Sequence, residues 1–380
     1  MASHGVTRSS YAAQSKDVAA RERELKKLTE YHELTAEFQR KRTEKEYTKE
    51  ALDVTAKVLK INPEFYTVWN YRREILLHTT LLPFSPSPDG VDETAAYGGY
   101  EASTAGLLKQ ELAFLFPLLS SYPKCYWIWN HRLWALHQAT RLLSPPFAEK
   151  FWRAELDLVG LMLSRDMRNF HGWMYRRFVV ANIEQPEKSL VEEEFAYTSG
   201  MVRGVGGMTN YSAWHQRSVL IPRLLEERGS GEQERMDFLE DELELLKRAM
   251  STDPDDQSLW FYHRWLVYAN ALPGDRTAIA PDMPVVTRIL LLVDQIEWLK
   301  ELLESHSSCK YILKALVSYV GLYRTLKQEP IPDEDREDLD EVDENQEQAL
   351  LKEWLDTLVR LDPMRRGRYM ALRKSVLIQE

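Results

Sequence analysis

The chain has 380 residues, of which 44% are hydrophobic and 28% charged, with a formal net charge of -10. Such an acid excess argues against a general affinity for nucleic acid or anionic membrane, while local basic spots remain able to bind an anion. Only two cysteines occur, Cys125 and Cys309, which excludes a disulfide framework and suits a reducing compartment.

In chain order, the opening stretch MASHGVTRSSYAAQSKDVAARERE lacks the apolar centre of a secretory signal. No later apolar run is long enough to span a bilayer, so the expected location is cytoplasmic. Residues 1–20 read as a flexible N-terminal arm, and 21–380 as a single helical-repeat domain. A charged helix is predicted over 18–45.

A recurring segment then begins, with an aromatic residue at one fixed place. Five copies are strong: NPEFYTVWNYRREIL around Trp69, YPKCYWIWNHRLWAL around Trp129, DMRNFHGWMYRRFVV around Trp173, GMTNYSAWHQRSVLI around Trp214 and DPDDQSLWFYHRWLV around Trp260. Two are degenerate, centred on Tyr311 and on Tyr369 within LDPMRRGRYMALR. Asn62-Pro63, Asp253-Pro254 and Asp362-Pro363 have the form of a capped helix start with Pro at the first helical position. An aromatic stands three residues before the Trp in four copies (Tyr66, Tyr126, Phe170, Tyr211), and an aliphatic seven after it. These positions predict a core stripe on one helical face.

A preceding helix with apolar residues at helical spacing pairs with each copy, over 49–59, 107–119, 151–163, 192–202, 237–250, 288–304 and 346–361. No segment shows sustained strand alternation. The expected fold is therefore all-α: a crescent-shaped α-solenoid of about seven antiparallel helix hairpins, an alpha-alpha superhelix. Residues 83–106, 273–284 and 331–345 read as loop insertions, the last strongly acidic.

Each strong Trp is followed three or four positions later by a basic residue: Arg72, Arg132, Arg176, Arg217 and Arg264. A guanidinium there can tie repeat to repeat through carbonyls or acids, or line a surface that meets an anion. Arg203-Gly204-Val205-Gly206-Gly207 lacks the ending of a phosphate loop and follows no strand, so it reads as a turn between helices. HExxH, CxxC and clustered metal-ligand spacings do not occur. Among the strong copies only the second has a Lys five residues before its Trp: Lys124, near the start of a helix, where free N–H groups and the helix dipole also favour an anion.

Aromatic–x–x–Trp–x–x–Arg in helix pairs of this period resembles the repeat of protein prenyltransferase alpha subunits, over nearly the whole chain from about residue 49 to 375. Within that family the likeness is to the Rab geranylgeranyltransferase (type II) branch, in its compact fungal form. The fifth copy and the LDPMRRGRYMALR segment have the type II form. Trp127 stands where the alpha subunit shared by farnesyltransferase and type I geranylgeranyltransferase has a Gln that helps read a substrate's C-terminus.

The resemblance implies alkylation of a cysteine thiol by geranylgeranyl diphosphate in a heterodimer with a prenyltransferase beta subunit. The substrates would be Rab GTPases presented by an escort protein. Zinc would be held by the beta subunit, with magnesium a further cofactor. It implies that Lys124 stabilises the departing diphosphate and that Tyr126 lies near the reacting carbon. Tyr126 reads equally as a recurring core aromatic. His171 matches an active-site His of the farnesyl-type subunits, although Phe170 replaces the Tyr before it, and a structural His is the rival reading. His4, in the N-terminal arm, would reach the beta-subunit zinc, or else belong to a plain tail. The alternatives for the whole chain are the shared farnesyl/type I alpha subunit and a non-catalytic helical scaffold.

Overall fold

The computed structural model describes residues 18–85, 93–332 and 343–376. The described residues form fifteen α-helices and no strand. They group into two compact units, divided between Gln185 and Pro186.

The first unit holds α1 (Val18–Thr43), α2 (Lys49–Ile61), α3 (Tyr66–Thr79), α4 (Glu93–Ser121), α5 (Tyr126–Leu142), α6 (Pro145–Arg165) and α7 (Phe170–Ile183). The helices α2 and α3, α4 and α5, and α6 and α7 pair as hairpins, and α3, α5 and α7 neighbour one another in turn. The second unit holds α8 (Val191–Arg203), α9 (Tyr211–Glu227), α10 (Glu232–Thr252), α11 (Gln257–Ala271), α12 (Val285–Ser305), α13 (Lys310–Leu326), α14 (Glu344–Leu361) and α15 (Arg366–Val376). Its hairpins are α8 with α9, α10 with α11, α12 with α13, and α14 with α15.

One set of side-chain contacts repeats in every strong copy. The indole N–H of the Trp donates to the carbonyl six residues earlier: Trp69 to Pro63 (2.8 Å), Trp129 to Pro123 (2.9 Å), Trp173 to Met167 (2.8 Å), Trp214 to Met208 (2.8 Å) and Trp260 to Pro254 (2.7 Å). That bond fixes the turn before the helix and satisfies a donor that burial would otherwise strand. The ring then packs on the residue two past the Trp of the next copy, as in Trp69–His131, Trp129–Tyr175 and Trp214–Tyr262, with centroids 4.7–4.9 Å apart.

A buried charge latch joins neighbouring hairpins. Arg132 donates through Nε (2.6 Å) and Nη2 (2.7 Å) to Glu155 on α6, and Tyr175 of the next copy donates to the same carboxylate (2.8 Å). Arg72 with Glu111 and His131, and Arg217 with Glu242 and Tyr262, repeat the arrangement. The basic residue that matters is therefore the one three past the Trp. In the fifth copy that place belongs to His263, which meets Gln295 (3.0 Å) and Tyr319 (2.8 Å), while Arg264 is exposed.

Four sequence expectations change. Asn62-Pro63 and Asp253-Pro254 do not start helices; Asn62 and Asp253 close the preceding ones, and α3 and α11 begin three residues after the prolines. The prolines serve as carbonyl acceptors instead; only Asp362-Pro363 opens a helical turn. The loop expected over 83–106 is helical from Glu93 onward, as part of α4. The sixth copy is centred on Leu313, not Tyr311: Cys309 donates to Pro254 as Cys125 donates to Pro63, both four residues before the centre. Finally, the aromatics three before the Trp are exposed, not core. At 100° per residue they lie about 60° to one side of the Trp, whereas the buried arc runs to its other side through the positions two, three and six later. The insertion at 273–284 is non-helical as expected, and Gly204 to Gly206 form a turn between the end of α8 at Arg203 and a 3-10 turn that starts at Gly207. A Cβ on Gly207 would lie 1.9 Å from the Met201 carbonyl oxygen, so only glycine fits there.

Candidate functional site

Lys124 lies in the four-residue turn between α4 and α5, where Cys125 ties the backbone to the neighbouring copy by an Sγ contact of 3.5 Å to Pro63 O. Burial pushes the Cys125 thiol up to about 11, so it is a structural donor and a poor nucleophile. The Lys124 side chain is exposed, and its Nζ stands 3.7 Å from Asp166 Oδ2.

Asp166 begins the equivalent turn before α7. Asn169 caps that helix, its Oδ1 accepting from His171 N (3.0 Å) and Gly172 N (3.4 Å), while its Nδ2 donates to Pro123 O (3.1 Å). One side chain thus links the backbone of His171 to the residue before Lys124. Close packing fixes the register: a Cβ on Gly172 would lie 2.9 Å from Leu163 Cδ2.

These turns bring Lys124, Tyr126 and His171 together. Tyr126 and His171 meet edge to face with centroids 4.6 Å apart. Burial, and then the charge of Lys124, hold the His171 imidazole below its ordinary range, against a smaller opposing effect of Glu64. His171 is therefore neutral at physiological pH, and the cation of the patch is Lys124, faced by Asp166. Tyr126 is exposed, as its hydroxyl must be to meet a ligand. Trp127 is half-buried and packs on Tyr66 at 5.4 Å. The set offers an ammonium, a phenol and an imidazole at two adjacent turns, an arrangement suited to a phosphate-bearing ligand.

The sequence reading missed Asp166 and Glu64. Asp166 occupies the place seven before its Trp that Asn62 and Asp253 also fill, so its type was visible but its pairing with Lys124 was not. His4 lies outside the described residues. Among the described residues no group of three or more His, Cys, Asp or Glu side chains is arranged to hold a metal, and no helix is long and apolar enough to cross a membrane.

A family model described as the protein prenyltransferase alpha subunit repeat matches residues 48–79, 108–139, 152–183 and 239–270. The geranylgeranyl transferase type-2 subunit alpha of Schizosaccharomyces pombe is 33% identical over 98% of this chain and 98% of its own length. This chain belongs to the protein prenyltransferase alpha subunit family. The proteins of the same name from Saccharomyces cerevisiae (38% identical, 70% of this chain and 72% of that one) and Homo sapiens (38%, 70% and 41%) are further relatives. Among solved structures, Candida albicans protein geranylgeranyltransferase-I complexed with GGPP matches with a TM-score of 0.58 at 18% identity, over 92% of this chain and 91% of that one. That match establishes the alpha-subunit fold. The four matched repeats are the first, second, third and fifth copies, and the fourth, around Trp214, keeps the same indole bond without matching.

Proposed function

We propose that this chain is the alpha subunit of a type-2 protein geranylgeranyltransferase. It would act in the cytoplasm with a beta subunit to transfer geranylgeranyl from its diphosphate to C-terminal cysteines of Rab GTPases presented by an escort protein. The observation that carries the reading is the convergence of Lys124, Tyr126 and His171 in a chain alignable end to end with a type-2 alpha subunit. The fungal and mammalian relatives support it over a farnesyl-type subunit or a scaffold.

In the reaction the C1–O bond of the lipid diphosphate breaks, its electron pair leaving with the diphosphate, as the S–C1 bond forms. Charge on the departing oxygens grows in the transition state. The Lys124 ammonium is a preorganised cation for that charge, and the Tyr126 hydroxyl is a donor beside it. Neutral His171 keeps the patch from adding a second charge that would hold product diphosphate. Zinc, which makes the thiolate, and magnesium are assigned in this proposal to the beta-subunit side; His4 is assigned to the zinc's surroundings.

Co-expression with a candidate beta subunit and single-turnover assay with labelled lipid tests the reading. Lys124→Ala is expected to slow the chemical step about 100-fold or more while changing lipid affinity far less. A single-turnover rate unchanged in that variant would sink the assigned role.

A further inference from the structure

The second unit has a cavity of about 290 Å³ between α11, α13, the turn Pro363–Arg365 and α15. Four cationic side chains converge on it from three parts of the chain: Arg264, Lys314, Arg365 and Arg368. Trp260 and Tyr311, stacked at 19° with centroids 6.3 Å apart, are among its walls. Such crowding of like charge is unusual in a chain of net charge -10.

Only one of the four has a carboxylate. Arg365 Nη1 pairs with Asp362 Oδ2 at 2.9 Å, and Tyr369 donates to the same oxygen at 2.9 Å, so Asp362 is already engaged. Arg264 lies over the Tyr268 ring, and Lys314 lies 5.4 Å from the centre of Tyr311. Among the described residues no ion pair engages Arg264, Lys314 or Arg368. Burial, followed by the charges of Arg365 and Arg368, holds the Lys314 ammonium below its ordinary range, with Asp362 opposing. The cations therefore repel one another across a space that, among the described residues, Asp362 alone offsets with a carboxylate.

We propose that this pocket is a binding site for a dianionic oxyanion of the phosphate class. A single carboxylate would leave most of the charge uncompensated, whereas a phosphate presents several acceptors to guanidinium forks and an ammonium at once. The site is independent of Lys124, with which it shares no residue, and stands whether or not the proposed transferase activity does. Two sources share this chemistry, a free phosphate or diphosphate and the phosphoryl group of a phosphorylated protein segment.

The test uses the purified heterodimer with a co-expressed beta subunit, its alpha chain carrying Lys124→Ala so that the candidate diphosphate site is weakened. It is titrated calorimetrically with inorganic phosphate, with inorganic diphosphate and with a short phosphoserine peptide. Binding by at least one probe is expected, and Lys314→Gln and Arg368→Gln should each weaken it about tenfold, the loss expected for one hydrogen bond to a charged group. Arg368→Lys should retain part of the binding, and thermal melts check that each variant is folded. A preference for the inorganic anions assigns a free ligand; a preference for the peptide assigns a phosphoprotein. If no probe binds, or if folded Lys314→Gln and Arg368→Gln bind as the parent does, the proposal is overturned.

Discussion

Lys124 and Asp166 face each other across two turns, yet their contact at 3.7 Å and mostly exposed is weak. An anion arriving at Lys124 must displace that carboxylate. Asp166→Asn is therefore expected to tighten product inhibition by inorganic diphosphate about two- to fivefold, in line with a surface pair of a few tenths to one kcal/mol; an unchanged inhibition constant in steady-state assays would refute the pairing. His263 makes a different kind of prediction. Its burial pushes the imidazole down from 6.5 to about 4, so in the native state it stays neutral while the unfolded chain takes up a proton. The stability it confers is complete above pH 6.5 and is lost as pH falls toward 4. His263→Gln should flatten the pH dependence of urea unfolding in that window by about 1.4 kcal/mol per pH unit. Lys124 and His171 were legible from their motifs because each sits at a numbered place in a repeat. Asp166 was not, since pairing across copies depends on how two turns meet, which no periodicity records. Arg264 was a visible anion-facing candidate, but its convergence with Lys314, Arg365 and Arg368 was not, for the same reason: they come from copies five, six and seven.

At the scale of the element, helix existence was plain in the sequence and helix starts were not. The apolar spacing of 49–59, 151–163 and 237–250 predicts helices that the structure shows as Lys49–Ile61, Pro145–Arg165 and Glu232–Thr252, the last two starting earlier than predicted. The Pro six residues before Trp69 and Trp260 looked like a first helical residue; there, as before Trp129, its carbonyl is what the Trp uses, and Met167 and Met208 supply the same carbonyl to Trp173 and Trp214. The 93–106 stretch contains three glycines and still forms helix, since tertiary packing of Ala105 and Leu108 outweighs weak propensity. The latches carry the sharpest element-scale prediction. Glu155→Ala leaves the buried Arg132 guanidinium and the Tyr175 hydroxyl without their shared acceptor. It should cost about 3–5 kcal/mol, the usual penalty for an orphaned buried charge. A shift in the urea midpoint of the first unit, read by tryptophan fluorescence, measures it; a loss under 1 kcal/mol would show that the latch is relieved by rearrangement.

For the molecule as a whole, the repeat fixed the all-helical class before any coordinates, but it misjudged which aromatic residues face outward. Tyr66, Tyr126 and Phe170 in the first unit, and Tyr211 and Phe261 in the second, are exposed on the second helix of their hairpins. Rows of exposed rings are uncommon on a protein that works alone. Expressed without a beta subunit, the chain should self-associate, and co-expression should yield a monodisperse heterodimer by light scattering; a stable monomer in isolation would contradict this. The shared acceptors also carry a record of how such an array can grow. The Pro63 carbonyl serves both its own copy's Trp69 and the next copy's Cys125, and the Pro123 carbonyl serves both Trp129 and Asn169. A residue inserted into either turn would break two bonds at once, so those turns keep their length. It is at junctions between hairpins, between α3 and α4 and between α11 and α12, that the chain carries extra sequence. Lineages of this fold should therefore keep the length of the turns at 62–65 and 122–125 and differ in length at junctions between hairpins.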